Sequence, residues 1–237
     1  MRHAGGVLSE PLPSLTDLAL GLVALLFALR GVNAGVSKSW RRMFWWAAIA
    51  ALAGAVHHAV VTFSDALTGP SWALISAMVV VTISYALAAS VHDVLGPGRR
   101  RVFWVLRTGS LGAYAVLALF GHYGIATILA CEGVTMVCVL VLWLIALRRG
   151  LPGGRLMMVA IAVNVIAGCT RALPQGVTGL VGLDPISLYH LAQIPAVVLL
   201  YVAVVNRTRW LAGVGPAAAP AWRFTSLDSG PAAGQAR

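Results

Sequence analysis

Ten side chains in this sequence carry chemistry while sitting in or beside strongly apolar stretches. They are His57, His58, His122 and His190, the acids Asp17, Asp65 and Glu132, and Arg171, Tyr189 and Gln193. Three imidazoles and a carboxylate drawn together would suit Zn²⁺ with a fourth position left open. Such an ion lowers the pKa of its bound water to about 7, and the resulting hydroxide attacks an amide or ester carbonyl. In that reading Asp65 or Glu132 shuttles the proton, while Arg171 or Tyr189 stabilises the developing oxyanion. Two histidines on different helices can instead ligate a haem axially. His58 with His190 or His122 would serve, and Ala51, Gly54 and Ala55 would leave room for the porphyrin. A third class uses Asp17, Glu132 and Arg171 as the proton-linked or recognition site of a small-ligand transporter or sensor.

Spacing sharpens the candidates. His58, Thr62 and Asp65 stand at i, i+4 and i+7, so a helix would put them on one face, with Gly54 one turn earlier to admit a neighbour. Asp65 could then hold the second ring nitrogen of a metal-bound His58. His57 and His58 point about 100° apart and cannot both face one ion. Tyr189 and Gln193 pair at i, i+4, with His190 beside them. No HExxH-type local motif is present. Plainer roles compete at each position. Intramembrane histidines often only link helices, Glu132 can pair with Arg171, and His122 can be solvated between Gly121 and Gly124. Asp17 can face the positive end of its helix, and His92-Asp93 can pair with Arg99 or Arg100. Cys131 and Cys138 lie about 10 Å apart along one helix, too far for a disulfide.

The elements that must position these residues follow from composition. Of 237 residues 59% are hydrophobic and only 10% charged, against roughly a quarter in a soluble domain. So little charge cannot cover a soluble surface, so the bilayer is the expected solvent. The net charge of +10 sits in short clusters between apolar stretches, the membrane pattern rather than a nucleic-acid footprint. With about twenty apolar residues per crossing, the chain reads as all-α with seven transmembrane helices. They are 12–29, 43–64, 71–95, 102–120, 124–147, 156–172 and 186–205, so residues 12–206 form the transmembrane domain. Residues 1–11 make a short extracytoplasmic N-terminus, and 207–237, rich in Ala, Pro and Gly, a disordered cytoplasmic tail. Arg30, Lys38, Arg41, Arg42, Arg99–Arg101, Arg107, Arg148, Arg149, Arg155 and the four arginines of the tail fall on one side, leaving Arg2 and Arg171 for the other. The N-terminus is therefore expected outside and the C-terminus in the cytoplasm of a multi-pass cell-membrane protein. Basic residues that follow the first apolar run, and Asp17 within it, argue against a cleaved signal peptide. Lys38 is the sole lysine and lies in a loop, which excludes a retinal Schiff base. The preference for Arg over Lys is the usage of a GC-rich bacterial genome.

With those spans placed, nearly all the intramembrane polar residues fall in the outer half. Seven helices, an N-terminus on the side of the site, His late in the second helix, Asp soon after it and His early in the seventh resemble the CREST superfamily. That group includes alkaline ceramidases and adiponectin-receptor-like proteins, seven-helix membrane proteins with a zinc site. The resemblance covers residues 12–205 by pattern. It implies that His57 or His58 is a second-helix metal ligand, Asp65 the acidic partner and His190 a seventh-helix ligand. The family has a Ser one turn before the second-helix His, where Ala53 or Gly54 stands here. It also has a second His four residues after the first on the seventh helix, where Ile194 stands, with Gln193 nearby. A third ligand would then come from His122, Glu132 or the other member of the His57-His58 pair. The activity implied is hydrolysis of a lipid amide or ester.

Overall fold

A computed structural model describes residues 8–213; the first seven residues and 214–237, most of the expected tail, lie outside the described residues. The described residues form eight α-helices and three 3₁₀ turns, with no strand among them. Helices α1 (Pro11–Asn33), α3 (Asp65–Leu95), α5 (Ile125–Arg148) and α8 (Pro185–Gly213) are long and apolar enough to cross a membrane. So is α2 (Lys38–Ala59) together with the turn that follows it. Helix α6 (Gly154–Thr170) meets the short α7 (Gln175–Thr178) and its 3₁₀ turn at a bend of 110°, and the two together pass as a sixth, broken span. In α4 (Arg100–Leu119) the apolar part is only Trp104–Leu119. Leucines, valines and phenylalanines cover the outside, with Leu119 and Leu180 more than four-fifths exposed, as a lipid-facing surface requires.

Helix α1 lies against α2 and α8, α2 against α3, α3 against α4 and α5, and α6 against α8. Aromatic rings lock the centre of the first group. Phe27 stacks on Tyr201 at 4.3 Å, and Phe44 meets both rings edge-on. Glycines set the approach of α1 to α2. A methyl on Gly21 would strike Leu52 at 2.9 Å, and one on Gly54 would overlap the Asp17 carboxylate.

Among the boundaries that differ from the sequence reading, the end of α2 bears on the site and the end of α8 on the expected tail. Helix α2 ends at Ala59 rather than near residue 64. The β-branched run Val60-Val61-Thr62 leaves the helix for the 3₁₀ turn Val61–Phe63, and extended Ser64 opens α3. Asp65 therefore stands in the first turn of α3, where its charge complements the helix dipole, and does not share a face with His58. At the far end α8 runs on through residues 207–213, assigned above to the tail. Tertiary contact holds it there: Arg207 is buried, and its Nη2 donates to the Asp93 carbonyl at 2.9 Å. The Asp93 carboxylate accepts from Trp40 Nε1 at 2.9 Å and lies 3.2 Å from His92 Nδ1.

Candidate functional site

The site begins with an unfinished helix end. The last carbonyls of α2 have no intrahelical donors. Ser9 N–H and Glu10 N–H supply them, donating to the Ala59 and His58 carbonyls at 3.0 Å each. This strap brings the Glu10 carboxylate to His58, whose Nδ1 lies 2.5 Å from Glu10 Oε2. Helix α1 starts at the next residue, with Pro11 in its first turn where a missing N–H costs nothing. Ser14 then ties α1 to α2 by donating to the Ala55 carbonyl at 2.9 Å. One turn further, Asp17 lies over Gly54, the position where a side chain would exclude it.

Asp17 is buried between two imidazoles. Its Oδ2 is 3.9 Å from His58 Nε2, and its Oδ1 is 3.4 Å from His190 Nε2 on α8. The remaining ring nitrogen of His190 faces Thr16 Oγ1 at 3.4 Å. Thr16 commits its own proton to the Leu12 and Pro13 carbonyls at 3.0 Å, so it accepts from His190 Nδ1–H. Ionised Glu10 can only accept, so His58 also carries its proton on Nδ1. Both neutral imidazoles consequently turn an Nε2 lone pair toward one carboxylate, and the line Glu10–His58–Asp17–His190–Thr16 has a place for one further proton.

An open cleft of about 410 Å³ adjoins this line. Glu10, Pro13, Arg171, Gln175, Asp184 and Ile186 are among its walls. Asp184 caps α8: Oδ1 accepts from the Ile186 and Ser187 N–H groups at 2.9 Å, and Oδ2 from the Ser187 hydroxyl at 2.5 Å. Burial pushes its carboxyl up, but these donors outweigh burial and hold it below the usual carboxylate range. With Glu10 and Asp184 so engaged, Arg171 is the cation this cleft presents. Tyr189 lies 5.3 Å from the His190 ring and accepts from Gln193 Nε2 at 2.7 Å.

The other expected site residues are elsewhere. His57 points to α3, where its Nδ1 shares a 2.6 Å hydrogen bond with Ser71 Oγ and its ring lies 5.5 Å from Trp72. The His57 and His58 rings stand at 85° to each other and, as adjacent helical positions, face different neighbours. His122 is exposed in the turn between α4 and α5, and Asp65 is exposed at the start of α3. Glu132 is fully buried on α5, with neither oxygen hydrogen-bonded, and so makes no pair with Arg171. Glu10, which holds His58 in the place expected of Asp65, escaped the sequence reading. Its one signal is an acid directly before Pro11-Leu12-Pro13, which reads as an ordinary solvated helix start.

These positions test the cofactors. His58 and His190 have the ring orientation of metal ligands, and a carboxylate on Nδ1–H is the usual support for one. However, the Asp17 carboxylate fills the space between the rings, and no group of three His, Cys, Asp or Glu among the described residues can hold a metal ion. The zinc set His57, His58, His122 and His190 does not fit the ion. Haem fits no better, because the gap between His58 and His190 is occupied by Asp17 rather than open to a porphyrin.

No curated protein matches the chain, and no solved structure does. Residues 12–209, which include Asp17, His58, Arg171 and His190, match the family described as "Family of unknown function (DUF6962)". The chain belongs to that family, DUF6962.

Proposed function

We propose that this is a membrane transporter or sensor that exchanges a proton as it binds a small ligand. Asp17, His58 and His190 hold the proton, and Arg171 meets the ligand in the adjoining cleft. One observation carries the reading: two imidazoles whose Nδ1 atoms already face Glu10 and Thr16 both turn Nε2 toward one buried carboxylate. Carboxylate–imidazole chains at membrane depth serve as proton relays. Glu10 supports it further, since it lines the cleft and also holds His58, joining the ligand space to Asp17. In this reading seven segments cross the bilayer, α4 and the bent α6–α7 unit among them. The N-terminus and the cleft lie outside, and the arginine-rich connections face the cytoplasm.

A second reading, the zinc-dependent lipid hydrolase implied by the CREST resemblance, has the paired Nε2 atoms in its favour. It lacks a third ligand among the described residues.

Histidine ¹⁵N NMR of the detergent-purified chain tests the first reading. His58 and His190 should show Nδ1–H tautomers, and at least one should change protonation with pH in a way that Asp17→Asn abolishes. Nε2–H tautomers, or titration indifferent to Asp17, would overturn it. Elemental analysis of protein kept off metal columns tests the second. About one zinc per chain, lost in His190→Ala, would bring the hydrolase forward and justify screening lipid amides and esters.

A further inference from the structure

Glu132 is the one buried carboxylate among the described residues whose oxygens accept no hydrogen bond. Its side chain is 0% exposed, and neither Oε1 nor Oε2 makes a hydrogen bond. A buried charge in that condition is expensive, and bilayer depth raises the cost. The groups around it explain why no donor reaches it. The hydroxyls facing it are Ser110 on α4 and Thr135 on its own helix. Ser110 donates to the Cys131 carbonyl at 3.1 Å, so Thr135 supplies the proton in the 3.3 Å contact between the two hydroxyls. Next to them Tyr114 on α4 donates to the Ala73 carbonyl at 3.0 Å, and Ser76 on α3 donates to the Tyr123 carbonyl at 3.3 Å. The Ser110 and Thr135 protons are committed to these two contacts, and both hydroxyl oxygens stand beside Glu132. Its titratable neighbour is Cys131 on α5, which in turn faces Tyr114 on α4; Ser76 of α3, beside Tyr114, does not titrate. No Lys, Arg or His among the described residues pairs with Glu132.

Helix α4 is built around this pocket. Its only buried side chains among the described residues are Ser110 and Tyr114, whereas Val105, Val116 and Leu119 are exposed. A helix held to its neighbours by two polar residues beside an unpaired carboxylate is poorly explained by packing alone. Oxygen lone pairs converging on a carboxylate are the donor set of a hard monovalent cation.

We propose that Glu132, with the Ser110 and Thr135 oxygens, binds a monovalent cation, H⁺ or Na⁺, at a site separate from the Asp17 cluster. The proposal does not depend on the reading of Asp17, because the two carboxylates lie on helices that share no packing face.

An apolar carbodiimide, N,N′-dicyclohexylcarbodiimide, modifies protonated carboxyls inside membranes and so reports occupancy directly. The full chain in lipid nanodiscs would be labelled across about pH 5 to pH 9, and the modified residue located by peptide mass spectrometry. Label on Glu132 is expected, with a rate that falls about tenfold per pH unit once the carboxyl ionises. If Na⁺ also binds, replacing choline by Na⁺ at constant ionic strength slows the label by a further fivefold or so, and Ser110→Ala with Thr135→Val removes that protection. Dependence on pH alone names the proton as the cation. Label on Asp17 but never on Glu132 would overturn this proposal and leave the other reading standing. Label on Glu132 that neither pH nor Na⁺ alters would overturn it as well.

Discussion

Asp17 and Glu132 are both buried acids in apolar helices, and they solve the same electrostatic problem differently. Asp17 lies between two imidazoles that can each hold a proton, so its charge can be balanced within the site. Glu132 faces the hydroxyls of Ser110 and Thr135, whose protons go to the Cys131 carbonyl and to the Ser110 oxygen. Any compensation there has to arrive from outside the protein. The contrast teaches that burial depth alone does not define a functional carboxylate; the protons its neighbours have free do.

Gly54→Val is the strongest way to break the comparison. The new side chain displaces the Asp17 carboxylate and forces α1 from α2, with an expected loss of about 3 kcal/mol in reversible unfolding in mixed micelles. The Glu132 pocket should keep its reactivity in that variant. Next come the amides that remove each charge. Asp17→Asn strips two imidazoles of their charged partner and should cost about 2 kcal/mol. Glu132→Gln loses no hydrogen bond and should stay within about 0.5 kcal/mol of the parent. Equal losses would mean that the two acids play the same structural part.

A smaller effect is expected at the cleft. Asp184→Ala removes the α8 cap, and about 1 kcal/mol should be lost above the usual carboxylate pKa. The Asp184 carboxyl is held below its ordinary value in the folded chain, so its stabilisation is full above the unfolded value. It disappears as pH falls through the folded value, and thermal unfolding of parent and variant should converge there. The smallest effects belong to His122→Ala and Asp65→Asn. Both residues are exposed, so changes within about 0.5 kcal/mol and an unaltered histidine tautomer pattern at His58 and His190 are expected.

Much of the frame was legible from residue order. Composition and apolar run lengths announce long membrane-type helices, and adjacency alone separates His57 from His58. The small residue at 54 announces the close approach of α1. The partnerships were less legible. Asp65 is in register with His58 only if α2 continues through Val60-Val61-Thr62, and the 3₁₀ turn there removes it. Glu10 gains its role through backbone bonds from Ser9 and Glu10 to the end of α2, a contact between residues 48 positions apart that no periodicity encodes. Glu132 and Arg171 carry opposite charges and invite pairing, yet α5 packs on α3, α4 and α6, away from the cleft that holds Arg171.

The sequence by itself therefore determined that the chain forms long apolar helices fit for a membrane, roughly where they run, and the inventory of ionisable groups. Those properties depend on local composition and on the 3.6-residue period, which neighbouring positions specify. Tertiary structure alone decided that Asp17 lies between His58 and His190, that Glu10 replaces Asp65, and that Glu132 is left without a donor. Hydrogen bonds between helices depend on which faces meet and where each helix stops. A single turn of early termination in α2 moves a carboxylate by several ångströms, more than a hydrogen bond can span.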